Sequence, residues 1–403
     1  MRFSPLSATF LSCGRCGLAS FSAFLLLLLA TSGPAIARDW LVPQQAPTIQ
    51  AAVDSCVQGD MVVIDAGTYS DCTTPSENVY HIAVLKSGVG LRGATGDPAD
   101  VVLDAQGAGR CLEMRGLDGP VEVEALTLRG GRAVNPFGSG GGVFVYDSET
   151  VFRSCVFDSN SADYAGGALC VLYGEATIED CVFIGNESAT LGGALRMSGS
   201  PVTITGSTFH GTVGEAIHYR TEAPTLERCL ITDGDSEAIV RNSATDPDPA
   251  ISCSNLHGNA EDWPEFIADL VDSNGNLSAD PQYCNPLFGD LSLYVTSPCA
   301  EENSSCGRVG ALPAECGSGA AFHIVRPDGA GEFPTLSAAI NAAAVGDTVA
   351  LADGTFPGDG NRDLDFLGKA ITVMGLSGDP ALAVIDCQGS AADPHRGFHF
   401  RSG

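Results

Sequence analysis

The stretch "CVFDSNSADYAGGAL" (155–169) returns 26 residues later as "CVFIGNESATLGGAL" (181–195). Both copies open on Cys-Val-Phe, carry Asn at the sixth position and finish on Gly-Gly-Ala-Leu. Degenerate copies lie on either side: "VEALTLRGG" (123–131), "ITGSTFHGT" (204–212), "LERCLITDG" (226–234) and "ISCSNLHGN" (251–259). Placing Leu128, Phe157, Phe183, Phe209, Ile231 and Leu256 in one column gives spacings of 29, 26, 26, 22 and 25 residues. A second apolar segment follows most of these cores: "GGVFVY", "GGALCV", "GGALRM", "GEAIHY", "SEAIVR". The gap before it varies, so one loop absorbs the changes in length.

A unit this short, rich in β-branched residues and Gly, is not a helical hairpin. One strand pair cannot bury a core alone, whereas stacked coils can. The expected fold is all-β, a right-handed parallel β-helix solenoid rising about 4.8 Å per coil. Phe157 should stack over Phe183 and Phe209, and Leu169 over Leu195 and Ile217. Asn160, Asn186 and Asn259 fall at one turn position, where Asn tolerates the left-handed conformation and hydrogen-bonds locally. The Gly-Gly pair serves a tight return into the next strand.

The Phe-x-x-Asn…Gly-Gly-Ala-Leu unit resembles the repeat of chlamydial-type polymorphic outer membrane proteins, which belong to the pectin-lyase-like class of parallel β-helices. That resemblance covers roughly residues 121–259 and implies a surface protein. The class also hosts lyases, hydrolases, esterases and adhesins, so it does not imply one chemistry.

A second similarity is larger. "PTIQAAVDSCVQGDMVVIDAGTY" (47–69) returns as "PTLSAAINAAAVGDTVALADGTF" (334–356), and "VVLDAQG" (101–107) as "AVIDCQG" (383–389). In the first copy Ile49, Val53, Cys56 and Val57 make one apolar face of a short helix, expected to cap the bottom of the solenoid. This opening also resembles the start of pectin esterases, but their Asp, Arg and Gln motifs are missing. The polygalacturonase motifs are missing as well. The expected organisation is a signal peptide over 1–37, a β-helix over 38–316 closed by a Cys-rich segment (260–316), a linker (317–321) and the truncated start of a second β-helix (322–403).

The chain has 403 residues with 49 Asp plus Glu against 20 Lys plus Arg. So acidic a surface repels phosphate backbones, which argues against nucleic acid as a partner. The N-terminus carries Arg2 and Arg15, then "FSAFLLLLLA" and "SGPAIA", the pattern of an export signal with Ala35 and Ala37 at the cleavage site. Extracellular or cell-surface placement, without a transmembrane segment in this chain, is the corresponding expectation. Thirteen cysteines follow that leader, in a compartment that permits disulfides. Cys253, Cys284, Cys299, Cys306 and Cys316 should tie down the closing segment, with pairing open. Cys56 and Cys72 are both replaced in the second copy, by Ala343 and Asp359, and are expected to pair. Cys155, Cys181 and Cys229 share an inward column with Ser207 and Ser254, where small packing residues are the simpler reading.

Few residues promise chemistry. Glu215 and Glu237 replace Gly167 and Gly193 in one column, on adjacent coils, with Asp233 and Asp235 in the following turn and His218 and Arg220 in the strand. Stacked carboxylates repel unless a cation or proton lies between them. These residues are therefore candidates for Ca²⁺ binding or, with Arg220 and His218, for a Ca²⁺-dependent polysaccharide lyase. A solvated acidic turn is the plainer alternative. "DSNGNLSAD" (272–280) has Asp272, Asn274 and Asn276 at calcium-loop spacing, but its Gly comes too early and no Glu closes it; a turn is expected. The favoured function is a non-catalytic surface β-helix acting in adhesion or glycan binding, with a polysaccharide or a host or neighbouring cell surface as partner. The rivals are a polysaccharide-active enzyme and a structural envelope spacer.

Overall fold

A computed structural model describes residues 37–76, 79–134, 138–286, 289–317, 322–377 and 379–400. The expected leader lies almost entirely outside these residues. The chain winds as a parallel β-solenoid with three long sheets. The first has nine strands, from Asp39–Val42 to Ala250–Ser252, and the second has eight, from Gly67–Tyr69 to Asn255–His257. The third also has eight, from Thr74–Ser76 to Ile239–Arg241, and all pair in parallel except its first hairpin. Among the described residues no helix is long and apolar enough to cross a membrane.

The expected columns hold residue for residue. Leu128 pairs with Phe157, Phe157 with Phe183, Phe183 with Phe209, Phe209 with Ile231 and Ile231 with Leu256. The three Phe rings stack face to face with centroids 4.4 Å apart and are fully buried. Each such burial stabilises by roughly 1.5–3 kcal/mol. Leu169, Leu195 and Ile217 form the matching ladder in the third sheet.

The corners explain the polar part of the repeat. Between first and second sheets the chain turns through a left-handed residue, among them Ser154, Asp180, Gly206 and Arg228. The next side chain points inward, and its Sγ or Oγ accepts the backbone N–H one coil below. Cys155 N–H donates to Cys181 Sγ, Cys181 N–H to Ser207 Oγ and Cys229 N–H to Ser254 Oγ. The three cysteines are thus buried thiols in a ladder. After the second sheet Asn160 and Asn186 are fully buried. Asn186 Oδ1 accepts from Asn160 N and Nδ2, and its own Nδ2 donates to Phe157 O. Here the expectation needs correcting: the left-handed residues are Ser159 and Gly185, one position earlier, so Asn is selected for its amide and not for its backbone. Asn276 extends the corner ladder, accepting from Ser254 N and donating to Ile251 O, so 272–280 is a turn.

The cap helix Ile49–Ser55 starts at Thr48, whose hydroxyl accepts from Ala51 N–H, and it packs Ile49, Ala52 and Val53 into the core. Val57, expected on that face, is 55% exposed because the helix has ended before it. The second copy repeats the start: helix Leu336–Ala342 is capped by Thr335, and strands Phe322–Val325, Thr348–Leu351 and Thr372–Gly375 pair in parallel. Asp60 and Asp347 are counterparts in detail. Each accepts a backbone N–H three residues upstream and contacts a ring nitrogen, of Trp40 and of His323. The second copy has its own apolar cluster around Val325, Leu336, Ile340, Val349 and Phe356.

The segment expected to close the first solenoid does two things. Ile267, with Trp263, Phe266 and Leu270, covers the end of the core. Residues 280–286 and 289–316 instead run back as a strap over the outside of the second sheet, where Leu291, Leu293, Val309 and Ala311 cover Val182 and Leu230. Arg308 pairs with Asp180 at 3.0 Å, and Gly310 N–H donates to Arg228 O. Disulfides Cys253–Cys306 and Cys284–Cys316 anchor the strap, while Cys299 is a buried free thiol. Cys56 and Cys72 are both free. Cys72 Sγ faces Arg110 O, so the bridge expected between these two is absent.

Candidate functional site

The outer face of the third sheet mixes polar, aromatic and apolar side chains. Its strands alternate: Leu112, Val143, Leu169, Leu195 and Ile217 face inward, so their neighbours face out. One outward column runs Glu113, Phe144, Cys170, Arg196, His218, Val240. The next runs Arg115, Tyr146, Leu172, Ser198, Arg220.

Loop length decides how this face is covered. From Asn160 to Gly167, and from Asn186 to Gly193, the loop takes seven residues; from Thr212 to Glu215 it takes three. The long loops contain the short paired strands Arg132–Ala133, Ser161–Ala162 and Glu187–Ser188. A Cβ on Gly167 would sit 2.2 Å from Glu187 O, and one on Gly193 2.2 Å from Val213 O. Glycine is therefore required wherever the next coil's loop crosses the return. At Gly193 the crossing is made by the short loop 212–215, and one coil further on the same column carries Glu215 and then Glu237. Glu261 continues it, bridging to Glu237, a position that sequence spacing missed.

The expected site residues lie close in sequence space but are not gathered around one point. Glu215 Oε2 accepts from Gly192 N–H at 2.7 Å, and its Oε1 lies 3.7 Å from His218 Nδ1. Burial alone would raise this carboxyl. The His218 contact and the Gly192 N–H outweigh it and hold it below the usual carboxylate range. Glu237 accepts from Ser236 Oγ. Asp235 accepts from Gly214 N–H, and Asp233 contacts His210 at 3.3 Å. Four carboxylates are thus spread over separate local bonds. Among the described residues no group of three or more His, Cys, Asp or Glu side chains is placed to hold a metal ion.

The register adds a residue that the sequence did not single out. Arg196 lies beside His218 on the adjacent strand and is 6% exposed. Its Nη1 donates to Met197 O and, at 3.5 Å, to His218 O. Burial lowers the guanidinium's affinity for its proton, the nearby Arg220 lowers it further, and Glu215 and Tyr164 act in the opposite sense. His218 is 5% exposed, and Nε2 has no hydrogen-bond partner among the described residues. Tyr164 and Tyr173 flank this face with 50% and 63% exposure, and Tyr146 meets Tyr173 edge-on at 5.8 Å.

A second ionic cluster sits lower on the same face and is sealed. Glu113 contacts His81 Nε2 at 3.0 Å, Arg115 Nε at 3.2 Å and Arg110 Nη1 at 3.4 Å, and accepts from Ser76 Oγ at 2.7 Å. Burial opposes its ionisation, but the hydrogen bonds from His81 and Ser76 and the charges of His81 and Arg115 outweigh it. Its pKa falls from the usual 4.5 to about 2. Arg110 and Arg115 also lie over the Phe144 ring at 5.0 and 4.9 Å. This cluster holds the hairpin Thr74–Ser76/Val79–Val84 against the next coil, a structural task.

Residues 116–274 match a family model described as a right handed beta helix region. No curated protein matches the chain. Among solved structures, an arginine-to-alanine mutant of a PL6 family alginate lyase is 13% identical over 86% of this chain and 68% of that one, with a TM-score of 0.19. The A-module of a mannuronan C-5 epimerase from Azotobacter vinelandii is 12% identical over 88% of this chain and 94% of that one, with a TM-score of 0.29. Overlap at that level carries no information on chemistry.

Proposed function

We propose that this chain is an exported, non-catalytic β-solenoid of the cell surface that binds glycans along the outer face of its third sheet. The observation that carries the reading is the pair of exposed tyrosine rings, Tyr164 and Tyr173, before and after the strand Leu169–Leu172 and next to the coil that carries Arg196 and Ser198. An aromatic face carries negative charge density and attracts the weakly positive C–H face of a sugar ring. Polar groups beside it supply orientation. A solenoid repeats such contacts along its length, which suits an extended polymer. The two disulfides fit an oxidising compartment, in line with the apolar leader.

A glycan array tests the reading, followed by affinity measurements on Tyr164→Ala and Tyr173→Ala. Both rings are exposed, so the variants should keep the wild-type melting temperature and lose at least tenfold in affinity. An unsaturated uronate product on incubation with polyuronates would instead establish the enzyme alternative. Absence of any glycan binding would leave the structural spacer.

A further inference from the structure

We infer that Arg196, held by the backbone carbonyls of Met197 and His218, and Arg220 form a subsite for an anionic group on that glycan, a carboxylate or a sulfate. The inference rests on the glycan reading and specifies its ligand.

Arginine is rarely buried without a partner, because withdrawing its charge from water is costly unless an opposite charge replaces the lost hydration. Arg196 is buried, yet no carboxylate among the described residues lies within ion-pair distance of it. Its Nη1 is held by two backbone carbonyls, one of them that of His218. Its Nε and Nη2 donate to no protein atom among the described residues, and they are absent from the set of polar atoms sealed from solvent. A guanidinium presents these donors as a planar fork that matches carboxylate and sulfate oxygens. The pinned edge fixes the fork, and the other edge faces outward.

Arg220 supplies a second charge. It pairs with Ser198 and so sits one coil on and two residues along from Arg196, on the same outward face. Strand spacing and rise put the two Cα atoms about 8 Å apart. Arg220 is exposed and also lacks a carboxylate within ion-pair distance among the described residues. Two neighbouring cations without an ion-pair partner stand out in a chain of net charge −29. Several of its other arginines find acids, as Arg153 finds Glu122 and Glu179, and Arg129 finds Asp104. Glu215, the nearest carboxylate to enter the electrostatics of Arg196, is turned away to Gly192 N–H and His218. The backbone carbonyl of His218 helps to fix the local geometry by accepting from Arg196 Nη1. Exposed Tyr164, which also enters the electrostatics of Arg196, would hold the sugar ring while the fork takes its anion.

The test compares four probes on the full chain: oligogalacturonate, its methyl ester, dextran sulfate and neutral dextran. The wild type should bind oligogalacturonate or dextran sulfate at least tenfold more tightly than the uncharged probe of matching backbone. The preferred anion identifies the source. Added salt should weaken that preference, and Arg220→Ala, at an exposed position, should remove most of it without changing the melting temperature. Arg196→Gln should do the same where it folds, and Arg220→Ala decides alone where it does not. Equal affinity for oligogalacturonate and its methyl ester, together with no preference for dextran sulfate over dextran, would overturn the inference. So would an anion preference that survives Arg220→Ala. In both cases tyrosine-dependent binding of neutral glycan would leave the glycan reading standing, whereas failure of the wild type to bind any glycan would remove both.

Discussion

Asn186 is sealed from water and makes three hydrogen bonds to the coil below it. Replacing it by Ala would orphan Phe157 O and Asn160 N–H inside the core, where each lost partner costs about 1–3 kcal/mol. Asn186→Ala should therefore destabilise by about 2–4 kcal/mol in denaturant unfolding. Asn259 is less enclosed, and its Ala variant should lose less. Glu113 gives a second residue-scale expectation, in pH. Its folded pKa lies below its unfolded one, so its contribution is present above about pH 4.5 and is lost as pH falls toward about 2. The wild-type melting temperature should drop across that window. Glu113→Gln should be less stable at neutral pH and should show a flatter acid limb. A Glu113→Gln curve parallel to wild type would place the acid sensitivity elsewhere. The signal for Asn186 lies in the repeated "N" of the two perfect copies. Nothing comparable marks Glu113, since His81 and Glu113 lie on different coils and occur once each.

At the scale of elements, the return into the third sheet depends on the loop that crosses it. A Cβ at Gly193 would meet Val213 O at 2.2 Å and Thr212 Cγ2 at 2.6 Å. Gly193→Ala should cost about 1–3 kcal/mol, because backbone must move. Glu215, in the same column, already carries a Cβ, so Glu215→Ala should cost far less. Comparing the two variants by thermal unfolding checks this. The strap provides a second case. Cys284 and Cys316 are 32 residues apart, and removing the bridge by the double Ser variant should lower stability by about 3–4 kcal/mol through unfolded-chain entropy. Alkylation of the native protein should spare Cys155, Cys181 and Cys229. All three are buried, and burial raises the Cys229 thiol to about 12.

The second copy has a separate apolar cluster and, among the described residues, sheets of three, two and two strands. Solenoid stability comes from neighbouring coils, so a start with few coils is marginal on its own. We expect deletion of residues 318–403 to leave the main melting transition nearly unchanged in calorimetry. A large drop would show that the two copies support each other. Exposed Leu382, Val384 and Phe400 belong to this second copy, so the deletion should also reduce aggregation.

Coil register is what the sequence by itself determined. Side chains alternate with period two, and one apolar column must stay inside, so the Phe157–Phe183–Phe209 stack and the Leu169–Leu195–Ile217 ladder follow from spacing alone. The duplicated start was legible for the same reason. Tertiary structure decided what covers the solenoid. Arg308 meets Asp180 across 128 residues, and no local period links a strap to the sheet it crosses. The disulfide partners follow from that path, and so does the freedom of Cys299. Arg196 was invisible for a related reason: an outward position reads as ordinary surface until the fold shows that it is buried and that, among the described residues, no carboxylate has been brought to it.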